Sequence, residues 1–324
     1  MADSKQFHIS IEYLLLLMVL ALAYIGTRIF PEFSILFVFL SASVIAAIGM
    51  RFSVIMCASA SAALLLANGI VSFISGEGIA GCVAIPVLVP AISGFLCAYC
   101  LRSHYGLLKT TVISSLGALL SIGIFGFTIT RFVDPNFFTQ IFDAMKATVY
   151  ELVDLVAQQS SLDANVTAQL KSMYVTVVEM ITPAVIIILC AALSFLFPYL
   201  AKFYVRKRGD SQFEYQTSFC LIRADKISAL VPIVCLGLIM IIQSQILLVV
   251  LFNMVLVLAS GMFVCGMAVI SFYLKAYVKV FPVRLLVYIM VFLLPSAPML
   301  VILLGIIDAF ADFRHLKNGG GLVV

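Results

Sequence analysis

Residues 246–275 read ILLVVLFNMVLVLASGMFVCGMAVISFYLK and contain no charged side chain before Lys275. A helix needs about 20 consecutive apolar residues to cross the hydrocarbon core of a bilayer. This stretch is long enough, so it predicts a transmembrane helix. Similar runs recur along the chain, which predicts an all-α, polytopic transmembrane helical bundle of eight or nine spans. The candidate spans are residues 11–30, 33–50, 53–74, 79–101, 111–132, 181–205, 227–244, 246–275 and 283–310.

The composition supports the same class of protein. Of the 324 residues, 64% are hydrophobic and 10% are charged, whereas about 25% are charged in an ordinary soluble domain. The net charge of +4 is small and scattered along the chain, which excludes the basic patch of a nucleic-acid binder. We therefore expect the lipid bilayer as the main surroundings and no nucleic-acid partner.

The distribution of Lys and Arg predicts the orientation of the spans, because cytoplasmic loops retain positive charge. With the N-terminus inside, a basic cytoplasmic loop covers residues 202–226 and includes the sequence RKRGD at 206–210. Pro295 and Pro298 interrupt the last run, which is either one kinked helix or two short halves that return to the cytoplasm. The side of the membrane on which the chain ends stays open at this point.

Three regions follow from this pattern. Residues 1–132 hold about five spans, residues 133–180 form an external amphipathic helical hairpin, and residues 181–324 hold about four spans. The hairpin is predicted because apolar residues recur in it every three or four positions, with a break at residues 158–161. It can be a self-packed cap, a lid over a substrate site, or a docking surface for another protein.

Polar side chains within the spans are neutral. The helix middles carry no ionisable residue, which argues against a proton-driven pump and against an intramembrane metalloprotease. We expect no enzymatic activity and no cofactor or metal. Asn68 and Asn253 can hydrogen-bond between helices or line a pocket for an uncharged ligand. Pro86 and Pro90 can open the fourth span, and broken helices are common where membrane proteins bind substrates.

The segment that starts at Gly305 ends an apolar helix with two acids. Asp308 and Asp312 are four residues apart and share one helix face. Arg314 follows closely enough to neutralise one of them. The segment is either an interfacial stop with a local ion pair, or a cation site or docking clamp for a partner.

The same segment, GIIDAFADFR at residues 305–314, resembles the Gly-x-x-Asp then Asp-x-Arg ending of the YybS-like predicted membrane proteins of bacteria. The layout is similar over nearly the whole chain. The resemblance implies a multi-pass protein of the bacterial cytoplasmic membrane. It also implies a distant similarity to the substrate-binding subunits of energy-coupling-factor vitamin transporters, which pair with ATPase modules on other chains.

That similarity implies capture of a small molecule. The Ala-x-x-x-Ala docking pattern of those subunits is absent from residues 11–30, although Ala42 and Ala46 have this spacing in the second span. Two function hypotheses follow. The first is binding or transport of an apolar or neutral small molecule, in a pocket near the first helices and under the external hairpin. The alternative is a non-catalytic scaffold that recruits protein partners through the 202–226 loop and the Asp308, Asp312 and Arg314 end.

Overall fold

The fold is all-α in the part of the chain that the computed structural model describes, which is residues 2–160, 163–205 and 218–314. The predicted fold class is therefore confirmed. Two short 3-10 turns, Pro31–Phe33 and Phe219–Leu221, accompany the α-helices. The helices are α1 Ala2–Ile29, α2 Ser34–Arg51, α3 Val54–Ile74, α4 Gly78–Cys82, α5 Ile85–Arg102, α6 Leu107–Phe132, α7 Phe137–Ser160, α8 Ala164–Val205, α9 Lys226–Ile239, α10 Gln245–Tyr277, α11 Phe281–Leu293 and α12 Ala297–Ala311.

Seven helical segments of these described ranges are long and apolar enough to cross a membrane, and α11 with α12 makes an eighth if the pair counts as one span. The pair is bent by 108°. The predicted span at 227–244 corresponds to α9, which has 14 residues and is about 21 Å long, short of the ~30 Å hydrocarbon core. The seven segments are Ile11–Ile29, Pro31–Arg51, Val54–Ile74, Gly78–Arg102, Leu107–Phe132, Ala164–Ala201 and Gln245–Tyr277.

The predicted external hairpin consists of α7 and the first part of α8. Two ion pairs connect its arms, with Lys171 Nζ 2.7 Å from Asp154 Oδ2 and Lys146 Nζ 3.0 Å from Glu179 Oε1. Val153 is the one buried residue of α7, so the arms share little apolar core. The second arm continues into the sixth predicted span, since both belong to α8, a helix of 42 residues.

The chain divides into two compact units. Unit 1 comprises Met1–Glu179 and Leu189–Gln216, and unit 2 comprises Met180–Ile188 and Thr217–Val324. In unit 1, Ala42 and Ala46 are fully buried. A Cβ on Gly94 of α5 would lie 2.8 Å from the Ala42 carbonyl oxygen, so α2 and α5 pack through small residues.

Candidate functional sites

The last two helices of unit 2, α11 and α12, form a hairpin, and α12 packs closely on α10. At the crossing of α10 and α12, a Cβ on Gly305 would collide with the Met262 carbonyl oxygen, and one on Gly266 would collide with that of Val301. Glycine at these positions therefore allows the two backbones to touch. Gly305, a candidate functional residue by sequence, has this packing role.

The end of α12 lies beside the end of α10. The Tyr273 hydroxyl donates to the Phe313 carbonyl at 3.1 Å, one turn before α10 ends at Tyr277, and α11 begins at Phe281. The hairpin therefore starts and finishes at the same end of α10. The sequence left two interpretations of the last apolar run. This contact fits the second one, in which two short helices return to the same side.

Asp308 and Arg314 form an ion pair inside unit 2. Arg314 Nη2 lies 2.7 Å from Asp308 Oδ2, and the two side chains are 0% and 2% exposed. The guanidinium also donates to the carbonyls of Cys220, at 2.6 Å, and Ile222, at 2.8 Å. This arrangement fits the predicted local ion pair and ties the end of α12 to residues 220–222.

Asp312 has a different partner, which the sequence did not indicate. Arg223 forms an ion pair with Asp312 and donates through Nη2 to the carbonyls of Asp308 and Ala309, both at 3.2 Å. A guanidinium at the last carbonyls of a helix also complements the helix dipole. The one available signal was that Arg223 belongs to the predicted basic loop. Both carboxylates of the segment thus face guanidinium groups, and the described residues contain no cluster of three or more His, Cys, Asp or Glu side chains.

Asn253 bonds through its amide to the backbone of α8 beside Pro183. Its Nδ2 donates to the Met180 carbonyl and its Oδ1 accepts from the Ala184 backbone N–H, both at 2.8 Å. In a regular helix this N–H would donate to that carbonyl directly. Pro183 lies between Met180 and Ala184, and proline disturbs a helix interior. Asn253 therefore joins α10 to α8, as the hydrogen-bonding interpretation expects; Pro183 was the signal that sequence reasoning left unused.

Asn68 has a similar role in unit 1. The fourth predicted span consists of two helices, α4 and α5. Asn68 Nδ2 donates to the last two carbonyls of α4, those of Gly81 at 2.7 Å and Cys82 at 3.0 Å. Its Oδ1 accepts from Arg28 Nη2 at 2.8 Å and from the Tyr24 hydroxyl at 3.2 Å. The fully buried amide thus connects α1, α3 and the break after α4.

Arg28 extends this network to the surface. Its Nη1 lies 2.6 Å from both carboxylate oxygens of Glu77, and its Nη2 donates to Ser72 at 3.0 Å. The hydrogen bond from Arg28 lowers the pKa of Glu77 below its ordinary value of 4.5. Sequence reasoning placed Arg28 at a helix end and did not find this partner.

The two prolines lie just after the interruption of the fourth predicted span, in the first two turns of α5. Pro86 lies in its first turn, where a missing N–H costs nothing. Pro90 is fully buried inside the helix. The break comes earlier, at residues 83 and 84.

Two grooves accompany these clusters. One of about 480 Å³ lies between α7 and α8 beside the Asp154–Lys171 ion pair. The other, of about 340 Å³, lies along the last turns of α10 and is lined by apolar side chains and tyrosine rings.

The long apolar helices, with the polar groups of Asn68, Asn253 and Arg314 bonded to partners inside the chain, define a polytopic α-helical integral membrane protein. Comparison with protein families agrees with this class. The chain belongs to the family described as predicted membrane protein DUF2232, which matches residues 15–309. The match includes Gly305 and Asp308, and it confirms the predicted membrane-protein family. No curated protein and no solved structure matches the chain. The similarity to energy-coupling-factor subunits stays a prediction.

Proposed function

We propose that this protein is a non-enzymatic binding or transport protein for an apolar or neutral small molecule in the bacterial cytoplasmic membrane, and that the hairpin of α11 and α12 lines the path of the ligand. The observation that carries the proposal is the non-helical tip at residues 294–296, between two apolar arms of 13 and 15 residues. Each arm is about 20 Å long, so the tip lies deep in the ~30 Å hydrocarbon core.

Non-helical backbone in the hydrocarbon core of a membrane occurs in only two environments. It persists where protein buries it or where it lines a water-filled cavity, because lipid offers no hydrogen-bond partner. Pro295 and Ser296 are exposed, and none of the α11 residues is buried. We assign the tip to a wet cavity, where the Ser296 hydroxyl supplies a polar group for a neutral ligand.

The charge pattern indicates the side of the membrane from which the hairpin of α11 and α12 enters. Lys275, Lys279 and Arg284 surround the turn from α10 to α11, and positive charge is retained on the cytoplasmic side. Arg223 of the predicted cytoplasmic loop pairs with Asp312 at the end of α12, so the loop and both ends of the hairpin lie on one side of the membrane, and α9 with residues 240–244 counts as a crossing. The hairpin then enters from the cytoplasm and returns to it. Re-entrant and broken helices of this kind recur in transporters.

The scaffold hypothesis has less support. Its proposed clamp uses Asp308, Asp312 and Arg314, whose charged groups already face partners within the chain. The remaining part of its docking surface includes residues 206–217, which lie outside the described residues. Recruitment of protein partners through that loop stays a prediction.

The test is labelling of Ser296→Cys in membrane vesicles with a charged, membrane-impermeant methanethiosulfonate reagent. The matched control is Leu120→Cys, since Leu120 lies halfway along α6 and is 57% exposed. The unchanged chain measures the background from the native thiols. We expect Ser296→Cys to react from the cytoplasmic face and Leu120→Cys to stay unmodified. If the two variants stay equally unmodified from either face, the wet tip and the ligand path are wrong.

Native mass spectrometry of the purified chain tests the ligand itself. A discrete small-molecule adduct that is lost in Ser296→Trp supports the proposed function. Stable protein subunits on a chain without such an adduct would favour the scaffold instead.

A further inference from the structure

The groove along the last turns of α10 has an apolar lining suited to the acyl chain of a lipid. Its volume of about 340 Å³ lies within the usual range of ligand pockets. The lining includes Ile270, Leu274 and Val278 from the end of α10, and Leu304 and Phe313 from the end of the hairpin. These side chains offer van der Waals contact and no charged group.

The rim of the groove carries two tyrosines. The rings of Tyr273 and Tyr277 are stacked, with centroids 6.3 Å apart and planes inclined by 9°. The Tyr273 hydroxyl is occupied by the Phe313 carbonyl, whereas Tyr277 is 81% exposed. Tyrosine is typical of the membrane–water interface, where one end of the ring is apolar and the other is wet. This end of the groove therefore lies at headgroup level.

Positive charge surrounds the same end. Lys275 and Lys279 are exposed, and Arg284 donates through Nε to the Val278 carbonyl at 2.6 Å, which adds a cation where α10 ends. The sequence contains no Asp or Glu between Asp225 and Asp308. Asp308 and Asp312 face Arg314 and Arg223, so neither balances this charge.

We propose that the groove binds an anionic phospholipid of the cytoplasmic leaflet, with one acyl chain along α10 and the phosphate held by Lys275 and Lys279. Charge complementarity selects the headgroup, because basic residues near a membrane surface attract anionic lipids. The apolar lining of the groove accommodates the acyl chain of the lipid. This site is separate from the hairpin tip and does not depend on the proposed ligand path.

Native mass spectrometry of the detergent-purified full chain tests the headgroup. The probes are phosphatidylglycerol and phosphatidylcholine with the same acyl chains. Each basic residue contributes ~1 kcal/mol to anionic-lipid binding, about fivefold. We expect Lys275→Gln with Lys279→Gln to weaken phosphatidylglycerol binding by about 25-fold and to leave phosphatidylcholine binding unchanged.

Lys226→Gln is the matched control, since Lys226 is an exposed lysine at the start of α9. It should keep the preference for phosphatidylglycerol. Equal binding of the two lipids to the unchanged chain would overturn the proposal, as would a preference that survives in the double variant.

A second variant tests the groove without changing charge. Leu304→Trp places a larger side chain in the apolar channel and should displace both lipids, with thermal unfolding measured beside it to establish that the variant is folded. Retention of both lipids by the folded variant would place the binding elsewhere. A lipid-free dimer of the unchanged chain would assign the groove to a second copy and overturn the lipid site.

Discussion

Arg314 reaches back across six residues to Asp308 and forms a buried ion pair with it, with 2.7 Å between Nη2 and Oδ2. The reversal is possible because Asp312, directly after α12, adopts a left-handed conformation with φ of 51°. The desolvated pair is also bonded to the 220–222 segment. The ionic groups at the end of α12 are therefore structural partners of one another.

Removal of one charge of this pair should destabilise the protein strongly. Arg314→Leu leaves the Asp308 carboxylate buried without its partner, which costs about 3–5 kcal/mol. Replacement of both residues by leucine should cost less than the sum of the two single changes, measured by thermal unfolding in detergent. Additive single costs would mean that the two groups do not interact.

Gly305→Ala should weaken the contact of α12 with α10. The added methyl collides with the Met262 carbonyl oxygen, and overpacking of this kind costs about 1–3 kcal/mol. Gly261→Ala is the matched control on α10, because a Cβ at Gly261 meets no atom within 4 Å. The control should be neutral or stabilising, since alanine is the better helix former. Equal unfolding temperatures of the two variants would contradict the close crossing.

Asn253→Leu should destabilise unit 2 by about 1–3 kcal/mol, because the Met180 carbonyl and the Ala184 N–H lose their shared partner. The loss should be smaller when Pro183 is replaced by alanine, since the helix can then close its own hydrogen bonds. Thermal unfolding of the two single variants and the double variant measures this coupling. An unchanged cost of Asn253→Leu in the Pro183→Ala background would show that the amide does not compensate for the proline.

The Arg28–Glu77 pair should make stability depend on acidic pH. Because the hydrogen bond from Arg28 holds the pKa of Glu77 below 4.5, the ionised carboxylate stabilises the folded state. This stabilisation is complete above the ordinary pKa and is lost as pH falls through the lowered one. Glu77→Gln should therefore reduce the unfolding temperature at pH 7. At low pH, where Glu77 of the parent is protonated, the unfolding temperatures of variant and parent should lie closer together.

The exposed Glu32 offers the control for this effect. Glu32→Gln should leave the pH dependence as it is in the parent chain. If the difference in unfolding temperature between Glu77→Gln and the parent stays constant from pH 7 down to pH 3, the charge of Glu77 does not contribute to stability.

Much of the architecture could be predicted from short stretches of sequence. The long run at 246–275 predicted α10, which covers Gln245–Tyr277. Pro295 and Pro298 predicted the interruption that separates α11 from α12. The closeness of Arg314 to Asp308 and Asp312 predicted, as one of two interpretations, a local ion pair with one of these acids, and the pair forms with Asp308. Each of these features depends on residues that are close in sequence, so local patterns contain the information.

The partners across the chain could not be predicted in the same way. Arg223 lies 89 residues from Asp312, and Asn253 lies 69 residues from Ala184. Helix faces toward lipid and toward other helices are similarly apolar, because lipid tails are as apolar as leucine side chains. Periodicity therefore does not reveal which helix packs on which.

The sequence by itself determined that this is an all-α membrane protein and where most of its helices lie, because the length and apolarity of a span are local properties set by the thickness of the bilayer. Only the tertiary structure decided that α12 ends beside the carboxyl end of α10, that two arginines neutralise the acids at its end, and that Asn68 and Asn253 bond to the backbone of other helices. These features depend on the pairing of polar groups between distant helices, where an unpaired group in an apolar interior costs more than its hydrogen bond contributes.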